Sequence, residues 1–142
     1  MIRIKEVINV LENWASPAYQ ESYDNCGLLT GNSADEVKGI MVCLDSTEDV
    51  LDEAIKENCN LIIAHHPIVF SRLKKITGRN YVERVIIKAI KNNLALYALH
   101  TNLDNIETGV NMRLCHQLGL TNAKILLTKQ GTLKKLVTFT PI

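Results

Sequence analysis

Three of the four histidines follow apolar runs of the sequence, and these are the side chains best suited to metal chemistry. His65 and His66 follow one such run, and His100 follows another, with Asp104 four residues beyond it. Imidazole nitrogens and carboxylate oxygens are the ligands that zinc, manganese and iron prefer in proteins. The residue types therefore predict a divalent-metal site, and two neighbouring ions would suit hydrolytic chemistry.

The segments around these residues predict a sheet that brings them together. Short apolar runs alternate with segments of helical spacing, and each of the runs 39–44, 61–64 and 94–99 ends in a potential ligand. Apolar strands that alternate with helices are typical of an α/β fold in which a largely parallel sheet is flanked by helices on both faces. Ligands bind such sheets outside the carboxyl ends of the strands. We therefore expect the three histidines to share one crevice with the nearby carboxylates.

The remaining elements are predicted from periodicity and end signals. Residues 4–14 have the spacing of an amphipathic helix, and residues 19–33 are typical of a loop or short hairpin. Helices are also expected from Ser46, as an N-cap, to Asn58, and over 81–92. A last helix over about 108–118 should end at Gly119, with Leu114 and Leu118 facing inward.

Composition bounds the class of protein. The chain has 142 residues, a formal net charge of +1, 46% hydrophobic residues and 22% charged residues, which fits a single globular domain over residues 1–142. The near-neutral balance of charged residues argues against nucleic acid or an anionic membrane as a partner. No stretch of the sequence approaches the ~20 apolar residues that a membrane-spanning helix needs. Four dispersed cysteines without a CxxC pair indicate a reduced interior and hence the cytoplasm.

Each candidate residue also has a purely structural interpretation. A histidine at a strand end commonly binds a neighbouring backbone group. Asp45 is better explained, beside Ser46, as a cap of the following helix than as a metal ligand. His116 is predicted to be a surface residue of a helix, and turn chemistry accounts for Asp24 and Asn25 ahead of a glycine.

Three sequence motifs together resemble one known family. The motifs are YDNCGLLTG (23–31), LIIAHHPIVF (61–70) and HTNLDN (100–105). They resemble the GTP cyclohydrolase I type 2 homologue family, also called the Nif-three-like proteins, in order and spacing, from the N-terminal helix to the end of the chain. The resemblance implies an α/β Nif-three-like fold, a two-metal site and assembly into toroidal homohexamers.

The resemblance also implies roles for particular residues. His65, His66 and Asp104 fall on the family's metal-ligand positions, and His100 falls at the edge of the site, where it would face substrate and move a proton. A later histidine and glutamate, four residues apart, would complete the site, and this sequence has neither. We therefore expect residues 1–142 to be the N-terminal part of a longer family chain, with the strand-like run 134–142 leading into the second half.

Two functions are compatible with this sequence. The first is a metal-dependent hydrolase that acts on a nucleotide or phosphoester with two zinc, manganese or iron ions in each intact site. The second is a non-catalytic, metal-binding, ring-forming scaffold or regulatory protein, because the sequence contains no general acid or substrate motif beyond the ligands.

Overall fold

The computed structural model of the chain describes residues 1–128 and places helices on both faces of a mixed sheet. In chain order, the helices of this range are α1 (Ile4–Trp14), α2 (Glu48–Lys56), α3 (Tyr81–Lys91), α4 (Thr101–Asp104) and α5 (Val110–Gln117), with a 3-10 turn at Pro17–Tyr19. The strands of the same range are β1 (Gly27–Thr30), β2 (Ile40–Asp45), β3 (Leu61–His66) and β4 (Ala95–Ala98). The strand-like run predicted at 134–142 lies outside the described residues.

The sheet has the strand order β1-β4-β3-β2. Strands β2, β3 and β4 are parallel, as predicted, and β1 pairs antiparallel with β4. In the register, Asp45 lies opposite His66, and Ala64 lies opposite Ala98. The strands therefore end at a common edge, where the histidines follow.

Helices α2 and α3 cover one face of the sheet. Their buried side chains and those of the sheet form one apolar cluster, which includes Leu51, Ala54, Ile62, Val85, Ile86, Ala89 and Leu96. The Thr47 hydroxyl accepts a hydrogen bond from the backbone N–H of Val50 and so caps the start of α2. The predicted cap, Ser46, is instead buried. The prediction was wrong by one residue because both side chains can cap a helix and the backbone decides between them.

Helix α1 covers the opposite face. Ile4 packs there with Leu61, Ala95, Tyr97 and Leu99 in a second buried cluster. The Tyr97 hydroxyl donates a hydrogen bond to the Glu12 carboxylate at 3.3 Å. Burial and this nearby carboxylate raise the pKa of Tyr97. Helices on both faces of a mostly parallel sheet confirm the predicted fold class.

The C-terminal helix of the described residues departs in part from the prediction. Helix α5 ends in a Schellman motif, in which Gly119 has a φ of +69° and the backbone N–H of Leu120 bonds to the Cys115 carbonyl. Gly119 therefore ends the helix as predicted. Leu114 and Leu118 were expected to face inward, but they are 50% and 73% exposed, because helical spacing alone does not show which element covers an apolar face.

Within residues 1–128, the structure contains no helix that combines the length and the apolar character needed to cross a membrane. All four cysteines lie in this range, and each is a free, half-buried thiol. They are not part of a disulfide framework.

Glu83 on α3 carries a buried carboxylate that orders the preceding loop. Its side chain accepts hydrogen bonds from the backbone N–H of Thr77 at 2.8 Å and of Arg79 at 3.1 Å, and from the Asn80 amide at 3.0 Å. The bonds from the backbone N–H groups of Thr77 and Arg79, with that of Thr77 the larger, lower the pKa of Glu83 below its ordinary value although burial opposes them. The ionised carboxylate therefore stabilises the folded state.

We expect Glu83→Gln to lower the melting temperature at neutral pH, because the amide accepts these bonds less strongly than the carboxylate. The folded-state pKa is depressed, so the stabilisation is present above the unfolded glutamate pKa of about 4.3 and is lost as pH falls through the folded pKa. Thermal unfolding of both proteins from acidic to neutral pH should show a difference in melting temperature that becomes smaller in acid. Glu53→Gln, on the exposed side of α2, is the control. A difference independent of pH would contradict this account.

Candidate metal centre

One strand end and one helix start bring three imidazole rings to the same edge of the sheet. His65 and His66 are the last residues of β3, and His100 precedes α4 just after β4. The backbone N–H of His100 donates to the side-chain oxygen of Asn102 at 2.9 Å, which fixes where the chain turns from strand to helix. Parallel pairing of β3 and β4 then places the three rings side by side.

The three rings form a compact cluster. Their centroids are 4.9 Å apart for His65 and His66, 5.3 Å for His65 and His100, and 5.6 Å for His66 and His100. One potential ligand nitrogen from each ring lies within 4.8 Å of the other two. His66 is exposed, whereas His65 and His100 are half-buried. The structure thus brings together the three histidines that the sequence singled out.

Asp104, the predicted carboxylate ligand, lies beside this cluster at the end of α4. Its Oδ1 is 4.0 Å from Nε2 of His65. It also lines a cavity of about 880 Å³ between α5 and residues 123–128, and the lining of that cavity includes none of the three histidines. Asp104 therefore stands between the cluster and this open space.

Two of the three imidazoles are held by carboxylates through their Nδ1 atoms. Asp45 Oδ1 lies 2.8 Å from His66 Nδ1, and Asp24 Oδ1 lies 2.9 Å from His100 Nδ1. An ionised carboxylate only accepts, so in the neutral imidazole the proton is on Nδ1 and the free lone pair is on Nε2. Metal-binding histidines are commonly oriented by carboxylates in this way. The predicted role of Asp45 as a helix cap was wrong, because Thr47 caps α2 and the Asp45 side chain contacts His66.

Asp24 is the residue of this site that sequence analysis missed. Its side chain is fully buried and accepts hydrogen bonds from the Thr101 backbone N–H at 3.0 Å, the Thr101 hydroxyl, and the Cys26 thiol at 3.0 Å. Burial opposes ionisation of Asp24 and by itself would raise its pKa. The hydrogen bonds outweigh this effect, because His100 and the Asn25 backbone N–H also donate to the carboxylate, and together they hold the pKa of Asp24 well below the usual range. The turn interpretation was therefore incomplete, since the carboxylate orients His100.

Cys26 stays a thiol in this arrangement. Burial and the adjacent Asp24 carboxylate raise the pKa of Cys26. The protonated sulfur donates to Asp24 rather than acting as a thiolate. The potential metal ligands that the described residues bring together here are therefore the imidazoles, with the Asp104 carboxylate beside them.

Replacing Asp24 by asparagine is expected to weaken the tautomer preference of His100. A hydrogen bond from Nδ1–H to an ionised carboxylate contributes about 1.5–3 kcal/mol, which favours the Nδ1–H tautomer over the Nε2–H tautomer by more than about tenfold. A neutral amide oxygen accepts a weaker bond and favours the Nδ1–H tautomer less. Long-range ¹H–¹⁵N NMR of the metal-free protein at mildly alkaline pH reports the tautomer of each ring. Asp45→Asn is the matched control, because it should change His66 and leave His100 unchanged. An Nε2–H tautomer of His100 in the unmutated protein would contradict the assignment.

The fold and the site together define an α/β protein with an imidazole cluster at the carboxyl edge of its sheet. The family model of Duf34/NIF3 (NGG1p interacting factor 3) matches residues 2–141, and the chain belongs to this family. The resemblance found in the three sequence motifs is thereby confirmed.

Curated relatives carry the description GTP cyclohydrolase 1 type 2 homolog. The protein of Clostridium acetobutylicum is 40% identical over 134 residues, which are 94% of this chain and 50% of the relative. That of Staphylococcus epidermidis strain RP62A is 44% identical over 140 residues, which are 99% of this chain and 38% of the relative. The chain therefore spans half or less of the length of these relatives.

Solved structures show the same fold. A Bacillus cereus protein related to NIF3 is 38% identical, with a TM-score of 0.84 over 89% of this chain and 35% of that protein. Reduced HcgD from Methanocaldococcus jannaschii is 31% identical, with a TM-score of 0.81 over 89% of this chain and 50% of that protein.

Proposed function

We propose that this chain contributes a divalent-metal site to a metal-dependent hydrolase that acts on a nucleotide or phosphoester. The observation that carries the proposal is the cluster of His65, His66 and His100 at the carboxyl edge of the parallel strands. Asp104, 4.0 Å from His65, adds a carboxylate to this donor set. We propose His65, His66 and Asp104 as ligands and His100 as the residue that moves a proton.

The donor set fits a first-row divalent ion. In a tetrahedral site with metal–nitrogen bonds of about 2.0–2.1 Å, the ligand atoms are about 3.4 Å apart. One nitrogen each of His65 and His66 lie within 4.8 Å of each other, and Asp104 Oδ1 lies 4.0 Å from His65 Nε2, so small side-chain rotations would bring these atoms closer to this spacing. Imidazole with carboxylate suits zinc, manganese and iron alike. By family resemblance, two ions would share an intact site, with further ligands from the part of the relatives that this chain does not span.

The chemistry of such a site is divided between the ion and the protein. A bound divalent ion polarises substrate oxygens and makes water more acidic. Asp24 and Asp45 hold the imidazoles in a fixed tautomer, and the half-buried His100 can take or give a proton at Nε2. Residues 1–142 would form one α/β unit of the longer protein.

A second candidate function is a non-catalytic, ring-forming metal protein. The edge strand β2 supports it, because Ile40, Val42 and Leu44 are 43%, 73% and 60% exposed along one face of that strand. Exposed apolar patches commonly mark protein–protein interfaces. We propose a homo-oligomer, a toroidal hexamer by family resemblance, for either function. The free thiols support the cytoplasm as its location.

Turnover separates the two functions. The assay uses a chain extended to the length of the relatives and a panel of nucleotides and phosphoesters, with added zinc or manganese. His66→Ala is the test variant and His116→Ala is the control. The hydrolase proposal predicts metal-dependent hydrolysis that His66→Ala abolishes and His116→Ala retains. Metal binding without turnover of any member of the panel would contradict the hydrolase and favour the scaffold.

A further inference from the structure

We propose that Tyr23 and Phe70 form a stacking subsite for a planar aromatic ring of the substrate, next to the histidine cluster. The inference rests on the proposed function and names its substrate class. The substrate would join a planar heterocycle, such as a nucleobase, to the group that reacts at the metal centre.

The two rings are exposed, although the chain has an apolar core in which aromatic residues could be buried. Tyr23 is 65% exposed and Phe70 is 51% exposed. Their ring centroids are 6.3 Å apart at an interplanar angle of 50°. Neither ring belongs to the two buried clusters of the described residues. Large exposed aromatic side chains that lie side by side mark a binding surface more often than a structural one.

The pair is next to the proposed metal centre. Phe70 meets the ring of His100 edge to face, with centroids 6.2 Å apart at 86°. His100 in turn is within 5.3 Å of His65 and 5.6 Å of His66, measured between ring centroids. The aromatic rings and the imidazoles therefore form one continuous row. A ring stacked at the Tyr23–Phe70 end would lie beside His100, so its attached group would be within reach of the histidines.

The backbone holds the pair in position before any ligand binds. The Asn25 amide donates to the Val69 carbonyl at 2.6 Å, so the loop that carries Tyr23 is joined to the segment that carries Phe70. Asp24, the neighbour of Tyr23, accepts from the Thr101 backbone N–H at 3.0 Å and fixes the same loop to α4. A preorganised aromatic pair loses little conformational entropy when a ring stacks on it.

The test compares two probes that differ by the base. AMP and ribose 5-phosphate are titrated by calorimetry into the protein with and without zinc. Stacking of a base on aromatic side chains strengthens binding by about 5- to 150-fold, so AMP is expected to bind more tightly by a factor in this range. Phe70→Ala and Tyr23→Ala should each remove most of this preference. Tyr81→Ala, which removes a 46% exposed tyrosine on α3, should retain it.

The outcomes separate this inference from the proposed function. Equal binding of the two probes, no binding of AMP at millimolar concentration, or a preference that survives both substitutions would overturn the stacking subsite. A zinc titration of the same samples tests the metal centre independently. Zinc binding without a base preference would refute only the subsite, whereas a base preference without zinc binding would refute only the metal centre.

Discussion

Replacing His65 by alanine is expected to lower the zinc affinity of the protein by about 100-fold or more. Loss of a residue that merely orients a ligand costs about 10- to 100-fold in metal affinity, and loss of a ligand costs at least as much. His65 is expected to show the full effect because it contacts both other imidazoles of the cluster and lies nearest to Asp104. Competition with a chromophoric zinc chelator measures the affinity directly.

His116→Ala is the matched control for this prediction. His116 is exposed on α5 and lies outside the imidazole cluster of the described residues. It carries the same side chain, so its loss removes one histidine without removing a proposed ligand. Equal zinc affinities of His65→Ala and the unmutated protein would show that the cluster does not bind the ion.

Replacing Asn102 by alanine is expected to destabilise the protein by about 2–4 kcal/mol. The side chain of Asn102 is fully buried, donates to the Ala15 carbonyl at 2.7 Å and accepts from the His100 backbone N–H at 2.9 Å. Alanine leaves both backbone groups without this partner, and an unpaired buried polar group costs about 1–3 kcal/mol. The bond to Ala15 also joins α4 to the end of α1.

Urea denaturation gives the free energy of unfolding for this comparison. Asn111→Ala is the control, because its amide makes the same kind of bond, to the Asp104 carbonyl at 3.0 Å, but in an exposed position. The control should change stability by less than about 0.5 kcal/mol. A similar small change for Asn102→Ala would refute the structural role assigned to the buried amide.

The sequence predicts the fold well where local pattern determines structure. Strands β2, β3 and β4 are apolar runs bounded by polar residues, and their alternation with helices is enough to predict a parallel sheet. The edge strand β1 was not predicted, because Gly27–Thr30 is short and its pairing with β4 joins residues about seventy positions apart. The short helix α4 has too few residues for a periodic signal.

The candidate site was likewise predicted only where a local pattern determines it. Because ligands bind outside the carboxyl ends of parallel strands, we expected His65, His66 and His100 to lie close together. The structure confirms that these three side chains are neighbours. The carboxylates that hold them were not predicted. Asp24 and His100 are 76 residues apart, and Asp45 and His66 are 21 apart, so neither contact has a local signature. A buried aspartate ahead of a glycine has the same local pattern as an ordinary turn.

Anomalous diffraction at the zinc edge from zinc-loaded crystals tests the central claim most directly, because it locates the ion without reference to activity. We expect an anomalous peak about 2.0–2.1 Å from nitrogen atoms of His65 and His66 and about 2.0–2.2 Å from a carboxylate oxygen of Asp104, with His100 beside it. A peak found only at His116 or at a cysteine, or no zinc peak in the crystal, would contradict it.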